Sequence, residues 1–542
     1  MIKLSNMFKS KTNIFNFSHL YHLLIFLGFT ANLISQNLSS TKLNQRTIKL
    51  DYNNTTGKLN TMFKECIGAG RANEGLRADW QQQLAMVKQD CDFKYIRMHG
   101  LLTDDMGVYK QDEKGNPQYN YQYIDVLYDY IISVGMKPFV ELGFMPNYLA
   151  SADKTIFWWK GNITPPNNYD KWQALIENLV AHFTERYGED EVKTWYFEVW
   201  NEPNLDGFWS GTQDEYFKLY EYTAKAIKNV NSAYRIGGPA TAGNGWIAET
   251  INFTNQNNVP IDFISTHSYG VKHGYLDEFG TSGTILSKDQ WSVSADIINV
   301  RKKMDNLSKQ NLELHYTEWS SSYTPADPIH DSYHQAAYIL QKIKQTGTAT
   351  NSMSYWVFTD IFEESAPRFT PFHGGFGLLN YQGIKKPAYY AYQFMNKLGE
   401  TELQNSDNCS WATKNNKGDL QLLLWDFTNT HPGDMELNQT YYIKDLPSKP
   451  KEKVNIQLSN LPKGNYSLEI YKVGYKNNDP YTAYLNMGKP NQLTKLQVTQ
   501  LKDESNGKPF LIEQIKVNSN NNFNKEIDIN ENDVLFFKII KK

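Results

Sequence analysis

The sequence predicts an α/β protein, a (β/α)8 TIM barrel followed by a C-terminal antiparallel β-sandwich, and three observations support this prediction. Between residues 61 and 395, eight short apolar runs end in polar or glycine-rich sequence and alternate with helix-length periodicity, as in a barrel of this type. From residue 396 on, strand-like runs are separated by Pro, Gly and Asn turns, which is typical of a sandwich. The fourth run, Trp195–Trp200, contains one polar residue and stops at Asn201-Glu202-Pro203, as expected of a strand buried on both faces.

The composition excludes some partners without selecting a substrate. At 542 residues the chain is long enough for two or three domains, and its 40% of hydrophobic residues suffices for their cores. The formal net charge is −3 without long charge runs, which argues against a nucleic-acid partner and against a basic membrane-binding surface. Aromatic residues make up 14% of the chain, and such rings suit stacking on sugars and protein interfaces alike.

An export signal is predicted at the N-terminus, over residues 1–35. Lys3, Lys9 and Lys11 precede the apolar segment 21–34, and small polar residues follow it. The segment is shorter than the roughly 20 residues of a membrane span, although a short hydrophobic anchor is an alternative. Because no later segment is apolar for long enough to cross a bilayer, we expect a soluble, exported mature protein, periplasmic or secreted, with no integral membrane segment.

The predicted barrel covers residues 61–395. Its eight strands are Phe63–Ile67, Tyr95–Met98, Pro138–Leu142, Trp195–Trp200, Arg235–Pro239, Ile261–Ser265, Leu312–Tyr316 and Met353–Phe358. The helices between them include Trp80–Lys88, Tyr169–Tyr187, Gln213–Val230 and Ser332–Gln345. An open doubly wound sheet is the competing fold, and it would often carry a glycine-rich phosphate loop after its first strand. Gly68-Ala-Gly70 is followed by Arg71 and lacks the third glycine of that loop, so the barrel is preferred.

The predicted sandwich covers residues 396–542. Its strands are Leu420–Trp425, Tyr441–Lys444, Val454–Leu458, Tyr466–Ile470, Phe510–Val517 and Val534–Ile539, with no helix among them. The alternating apolar and polar residues of Thr47–Tyr52 indicate a further strand that has no place in the barrel. We therefore expect the N-terminal segment 36–60 to join the sandwich.

The three cysteines, Cys66, Cys91 and Cys409, do not form a disulfide framework. Cys66 and Cys91 lie near neighbouring predicted strands, so a bridge between them stays possible, although buried free thiols are the preferred interpretation. No cysteine has the spacing of a metal site, and His330 and His334 lack a third ligand. We predict no metal and no cofactor.

Polar residues at the carboxyl ends of the barrel strands are the candidates for chemistry, because barrel enzymes carry their active sites there. These residues are Arg71, His99, Asn201, Glu202, His267, Tyr269, Glu318, Trp356, Glu363 and Glu364. The sequence has no HExxH zinc motif and no Gly-x-Ser-x-Gly elbow. Glu202 and Glu318 follow the fourth and seventh predicted strands, and two carboxylates that face one cavity are the equipment of glycoside hydrolysis.

Asn201-Glu202-Pro203 and Thr317-Glu318-Trp319 resemble the motifs of a large clan of retaining glycosidases. A narrower likeness is carried by Leu76–Trp80, Arg97–Gly100, Asp104–Tyr109, Phe139–Leu142, Phe157–Gly161, Phe197–Asn204, Pro328–Asp331, Tyr355–Asp360 and Phe372–Leu378. Together these segments resemble glycoside hydrolase family 39, which includes β-xylosidases and α-L-iduronidases. The resemblance covers residues 61–395 and implies a catalytic barrel with an accessory domain.

The resemblance also implies a role for each candidate residue. Glu202 matches the general acid/base, Glu318 the nucleophile, and Asn201 the residue that holds the 2-hydroxyl of the reacting sugar. Tyr269 matches the residue that orients the nucleophile. The sugar pocket is matched by His99, His267, Trp356, Glu363 and Glu364, and the stretch Phe157-Trp158-Trp159 resembles its wall.

By this resemblance the protein is a retaining glycosidase that acts on an oligosaccharide by double displacement. Glu363 and Glu364 add negative charge near the pocket and would repel a uronic acid, so an exo-acting β-D-xylosidase is favoured. An α-L-iduronidase, an arabinosidase and an endo-glycanase are the alternatives within the family. A non-catalytic glycan-binding protein would be expected to have lost one of the two carboxylates, and both are present.

Overall fold

The computed structural model of the protein describes residues 45–273, 283–307, 311–433, 436–518 and 520–542. The predicted export signal at residues 1–35 lies outside these ranges. Within them, no helix combines the length and the apolar character that crossing a membrane requires.

Eight parallel strands close into a barrel, and each pairs with the next along the chain. They are β1 (Cys66–Arg71), β2 (Tyr95–His99), β3 (Lys137–Leu142), β4 (Tyr196–Val199), β5 (Arg235–Thr241), β6 (Phe263–Tyr269), β7 (Glu313–Ser320) and β8 (Ser352–Tyr355). Tyr355 pairs with Ile67 to join β8 to β1. The barrel and all eight strands are confirmed.

The first strand begins and ends later than predicted. Phe63 lies in a 3-10 turn, Met62–Lys64, and the strand runs on through Gly68 and Gly70. A Cβ on Gly68 would lie 2.5 Å from the ring of Trp356. Glycine is needed at this position because the ring of Trp356 packs directly on the strand. The strand continues through Gly68 without a turn.

A helix follows each barrel strand. These helices are α1 (Ala78–Cys91), α2 (Gln122–Ser133), α3 (Tyr169–Tyr187), α4 (Gln213–Val230), α5 (Ile247–Asn257), α6 (Ser294–Leu307), α7 (His334–Thr346) and α8 (Pro387–Asn396). Short hairpins extend the loops at Tyr109–Gln111 with Pro117–Tyr119, Thr155–Ile156 with Gly161–Asn162, and Val271–His273 with Ile285–Leu286.

Helix α4 shows why these segments are helical. Thr212 Oγ1 accepts a hydrogen bond from the backbone N–H of Glu215, and Glu215 Oε2 accepts one from the backbone N–H of Thr212. This capping box satisfies two donors at the helix start. On the buried face, Thr223 Oγ1 accepts a bond of 2.8 Å from the Trp172 indole of α3, which holds the two neighbouring helices against each other.

Two further sheets build the accessory region. The seven-stranded sheet has the order Thr55–Lys58, Thr401–Leu403, Ser410–Lys414, Leu420–Trp425, Val534–Lys541, Gly464–Val473 and Leu511–Val517. The three-stranded sheet comprises Thr47–Asp51, Val454–Ser459 and Phe523–Ile527. Thr47–Asp51 pairs in parallel with Val454–Ser459, and the other pairs are antiparallel.

Two details of the predicted accessory region are wrong. The predicted strand Tyr441–Lys444 falls at the end of a helical turn, Asn438–Tyr441, because Tyr442 is buried against the ring of His334 instead of joining a ladder. Helices also occur at Pro480–Asn486 and Lys495–Glu504. Each has a sequence signal: Asp479 before Pro480, and a capping box of Thr494 with Gln497.

None of the three cysteines forms a disulfide. Cys66 and Cys91 are buried, and Cys409 is partly buried. The bridge between Cys66 and Cys91 that the sequence left possible does not form. Burial raises the pKa of the Cys66 thiol to about 12, so this cysteine packs as an apolar side chain.

Candidate active site

Glu202 and Glu318 meet at the carboxyl end of the barrel. A carboxylate oxygen of each and one ring nitrogen of His267 all lie within 4.8 Å of one another. After β4 the backbone bends sharply, because Trp200 and Glu202 adopt left-handed φ angles of 68° and 45°. The N–H of Glu202 donates to the carbonyl oxygen of Ala240 at 2.8 Å, which ties this strained turn to β5.

Glu318 is held by donors on both oxygens. Arg97 Nη1 donates to Oε1 and the Tyr269 hydroxyl donates to Oε2, both at 2.7 Å. Burial raises the pKa of Glu318, and Arg97, His99 and Tyr269 act against that rise. These contacts favour the ionised carboxylate and fix its plane.

Glu202 has a different environment. Its Oε1 lies 2.8 Å from Nδ1 of His267, and the imidazole is neutral, because burial and then Arg97 hold the pKa of His267 well below its ordinary value. Burial, followed by the charge of Glu318, raises the pKa of Glu202 well above its usual range. The two carboxyl groups therefore differ in acidity, and Glu202 holds its proton more tightly than Glu318 does.

Arg97 lies at the centre of the site, and the sequence analysis did not identify it. Its side chain is fully buried. It donates to Glu198 at 2.6 Å, to Glu318 at 2.7 Å and to Asn201 Oδ1 at 2.8 Å, and its Nη2 lies 3.0 Å from Glu141. Because Asn201 Oδ1 accepts from the guanidinium, its Nδ2 amide is the group left to donate to a ligand.

Aromatic rings and one carboxylate surround His99 at the carboxyl end of the barrel. The ring of His99 contacts Trp356 at 4.7 Å and stacks on Phe157 at 6.2 Å between centroids. Glu364 Oε1 lies 3.7 Å from His99 Nε2. Burial, then the charge of Glu318, raises the pKa of Glu364 well above its usual range. The four side chains therefore lie together at the carboxyl end of the barrel.

Glu363 and Trp158 lie differently from the prediction. The Glu363 carboxylate pairs with Arg71 at 2.9 Å and with Arg77 at 3.1 Å, so two arginines hold it. Trp158 is 55% exposed, whereas Trp159 packs on Phe157 at 5.1 Å. The same two arginines also pair with Asp105 and Asp79, so Glu363 belongs to an ionic cluster with these four side chains.

The cluster of Glu202, His267 and Glu318 has the ligand types of a metal site, but its atoms are already engaged. His267 Nδ1 contacts Glu202 and its Nε2 lies 3.2 Å from Thr317 Oγ1. Both oxygens of Glu318 accept hydrogen bonds, and a cation would have to displace Arg97. The arrangement therefore suits proton transfer. His330 contacts the carbonyl oxygens of Gly374 and Ser322, which is a structural role.

The chain is similar in sequence and in structure to known glycosidases. The family model of the glycosyl hydrolases family 39 matches residues 46–517. A β-xylosidase of Caldicellulosiruptor saccharolyticus is 40% identical over 467 residues, 84% of this chain and 90% of that protein. A β-xylosidase of Geobacillus stearothermophilus is 41% identical, over 68% of this chain and 74% of that protein. The crystal structure of a monomeric β-xylosidase from Caulobacter crescentus CB15 superposes with a TM-score of 0.87 at 38% identity, over 92% of this chain and 99% of that one.

Proposed function

The chain belongs to glycosyl hydrolase family 39, and from that premise we propose that it is a retaining, exo-acting β-xylosidase that releases xylose from xylo-oligosaccharides. The observation that carries the proposal is the approach of Glu202 and Glu318 oxygens within 4.8 Å. Retaining glycosidases hold their two carboxyl groups about 5–5.5 Å apart, whereas inverting ones need about 6.5–9.5 Å to admit a water molecule. The spacing supports the double-displacement mechanism.

In the first step Glu318 attacks the anomeric carbon and Glu202 gives its proton to the departing oxygen. The bond from carbon to the leaving oxygen breaks as the bond to Glu318 forms, which yields a covalent glycosyl–enzyme. Arg97 and Tyr269 hold the attacking carboxylate in place. Glu202, now ionised, takes a proton from a water molecule, and the resulting hydroxide equivalent displaces Glu318 with net retention.

The assignment of the two roles follows from the charges around each carboxyl group. Arg97 and Tyr269 bond directly to Glu318, whereas Glu202 faces a neutral imidazole. When a close pair of carboxyl groups holds one proton, the proton stays on the group with the less favourable environment for charge. That group is Glu202, the acid.

The sugar is assigned from the relatives, which are named as β-xylosidases and match most of this chain. Asn201, with its amide Nδ2 left to donate, supports contact with the 2-hydroxyl, and Glu364 beside His99 supports contact with a further hydroxyl.

We also propose export through residues 1–35. N-terminal sequencing of the mature protein tests this, and a mature chain that still begins at Met1 would exclude cleavage.

Hydrolysis of a panel of nitrophenyl glycosides tests the activity. We expect β-xyloside to be cleaved fastest, ahead of α-arabinoside, β-glucoside and α-iduronide, and NMR should show the β-anomer of xylose as the first product. An α-anomer released first would exclude retention. A panel with no cleavage would exclude the proposed glycosidase and favour a glycan-binding protein.

A further inference from the structure

A line of buried hydrogen bonds leads from Glu202 to Arg97. Nδ1 of His267 lies 2.8 Å from Glu202 Oε1, and its Nε2 lies 3.2 Å from Thr317 Oγ1. Thr317 Oγ1 lies 2.8 Å from Glu198 Oε1, and Glu198 Oε2 accepts from Arg97 Nε at 2.6 Å. All five side chains are buried. We refer to His267, Thr317 and Glu198 as the hydrogen-bond chain.

The direction of each bond follows from counting protons. A guanidinium has only donors, so Glu198 accepts from Arg97, and the carboxylate accepts again from the single hydroxyl proton of Thr317. The Thr317 oxygen then has only lone pairs to offer His267, so the imidazole proton must be on Nε2. Since a neutral imidazole carries one N–H, Nδ1 presents a lone pair to Glu202. His267 Nδ1 and Glu202 Oε1 lie 2.8 Å apart, and a hydrogen bond between them needs one proton. Because Nδ1 carries none, the proton is on the carboxyl group of Glu202.

The opposite arrangement is less favourable. Thr317 would have to turn its proton to His267 Nε2 at 3.2 Å and abandon Glu198 at 2.8 Å. The bond to Glu198 is shorter and ends on a carboxylate paired with Arg97, and charge-assisted hydrogen bonds are roughly twice as strong as neutral ones. The hydroxyl proton therefore stays with Glu198.

We propose that Thr317 and Glu198 are positioning residues, which fix His267 in the Nε2–H form and thereby keep the proton of the catalytic pair on Glu202. The proposal rests on the function proposed above, in which Glu202 is the acid/base. It also affects the second step. After Glu202 has lost its proton, its carboxylate faces a lone pair of His267, which makes it a stronger base toward water.

Other charged groups also face Glu202, so the test must leave them in place. Glu318 on β7, Arg97 on β2, Glu141 on β3 and Glu364 after β8 all act on it or are acted on by it. Thr317→Val changes none of them, and valine has nearly the shape of threonine. Without the hydroxyl, His267 is free to take the Nδ1–H form and to donate to an ionised Glu202.

The measurement is the pH profile of kcat/KM on a β-xyloside. In Thr317→Val we expect the alkaline midpoint, which reports the acid, to fall by about one pH unit, a tenfold loss on the alkaline side with little change at acidic pH. Thr317→Ser should restore the wild-type midpoint. Thr223→Val is the matched control, because Thr223 is equally buried but bonds to Trp172 and Leu219 in the helix layer.

An unchanged midpoint in Thr317→Val, or the same shift in Thr223→Val, overturns the proposal. A measurement on the wild type covers the case in which Thr317→Val fails to fold. The ring 15N spectrum of the 11 histidines, with His267 assigned by its loss in His267→Gln, should show Nε2 protonated, and a proton on Nδ1 overturns the proposal. This spectrum does not depend on turnover, so it separates a wrong tautomer from a wrong function.

Discussion

The two ends of the barrel place carboxylates in opposite environments. At the amino end, Tyr95, Phe139 and Tyr196 belong to a layer of packed rings, beside a cavity of about 320 Å³. Glu313 there accepts bonds from Tyr196 at 2.7 Å and from His315 at 3.0 Å. The bond to His315 is the largest of the effects that lower the pKa of Glu313 to about 2. The side chain of Glu313 is 39% exposed, and its carboxylate is stable as an anion.

At the carboxyl end the carboxylates are buried and crowd one another. The side chains of Glu202 and Glu318 are only 4% and 6% exposed, and burial raises the pKa of both. The same residue type on the same scaffold is thus stable as an anion at one end, whereas burial favours its protonated form at the other. The difference is solvent access and the neighbouring charge, which suggests that stability and catalysis can be altered separately.

Removing the nucleophile should have the largest effect on activity. In Glu318→Ala no group remains to form the covalent intermediate, so we expect kcat on nitrophenyl β-xyloside to fall by about 10⁴-fold or more. Glu313→Ala, at the other end of the barrel, is the matched control and should keep most of the activity. Turnover by Glu318→Ala within tenfold of wild type would contradict the assigned role.

Removing the acid should have a smaller effect that depends on the leaving group. General acid catalysis contributes about 10²–10⁴-fold, so Glu202→Ala should lose that much on xylobiose and less on a nitrophenyl xyloside, whose leaving group needs no proton. Azide should accelerate the variant by attacking the glycosyl–enzyme, with a β-xylosyl azide as product. If azide changes neither rate nor product, Glu202 is not the acid/base.

The sequence predicted the barrel, its eight strands and the residues at the strand ends, but not the ionic network beneath them. Arg97 and Glu198 are single charged residues in otherwise apolar runs, and a charge in a buried strand requires a partner. That signal was present in the sequence. The sequence did not identify the partners. Arg97 bonds to Glu198 and Glu318, which follow it by 101 and 221 positions, and only the closed barrel brings these residues together.

The same reason explains why the partners of Glu363 were not predicted. Its position after β8 suggested a pocket residue, yet Arg71, 292 positions earlier, occupies its carboxylate. Residue type and strand position predicted which side chains reach the carboxyl end of the barrel. They did not predict which of those side chains satisfy one another there, because that depends on loop paths and on side-chain packing.

The buried ionic network at the carboxyl end should be a large determinant of stability. Arg97→Met leaves Glu141, Glu198 and Glu318 without their common partner, and breaking a buried ion pair costs about 3–5 kcal/mol. Arg186→Met removes the pairs that Arg186, with a side chain 38% exposed, makes with Asp129 and Asp125. This should cost about 1 kcal/mol or less. Urea unfolding at pH 7 compares the two, and equal losses would contradict the network's importance.

The smallest expected effect lies at the amino end and depends on pH. Because the folded pKa of Glu313 is about 2 and its ordinary value is 4.5, the folded state binds the proton less readily than the unfolded state. Its contribution to stability is therefore present above pH 4.5 and is lost as the pH falls toward 2. Glu313→Gln should be less stable than wild type at pH 6, and the difference in unfolding free energy should shrink as the pH is lowered through that range, with kcat unchanged at pH 6. A difference in unfolding free energy that stays constant with pH would mean that Glu313 stabilises the fold by packing. The carboxylates at the two ends of the barrel would then not differ through their charge.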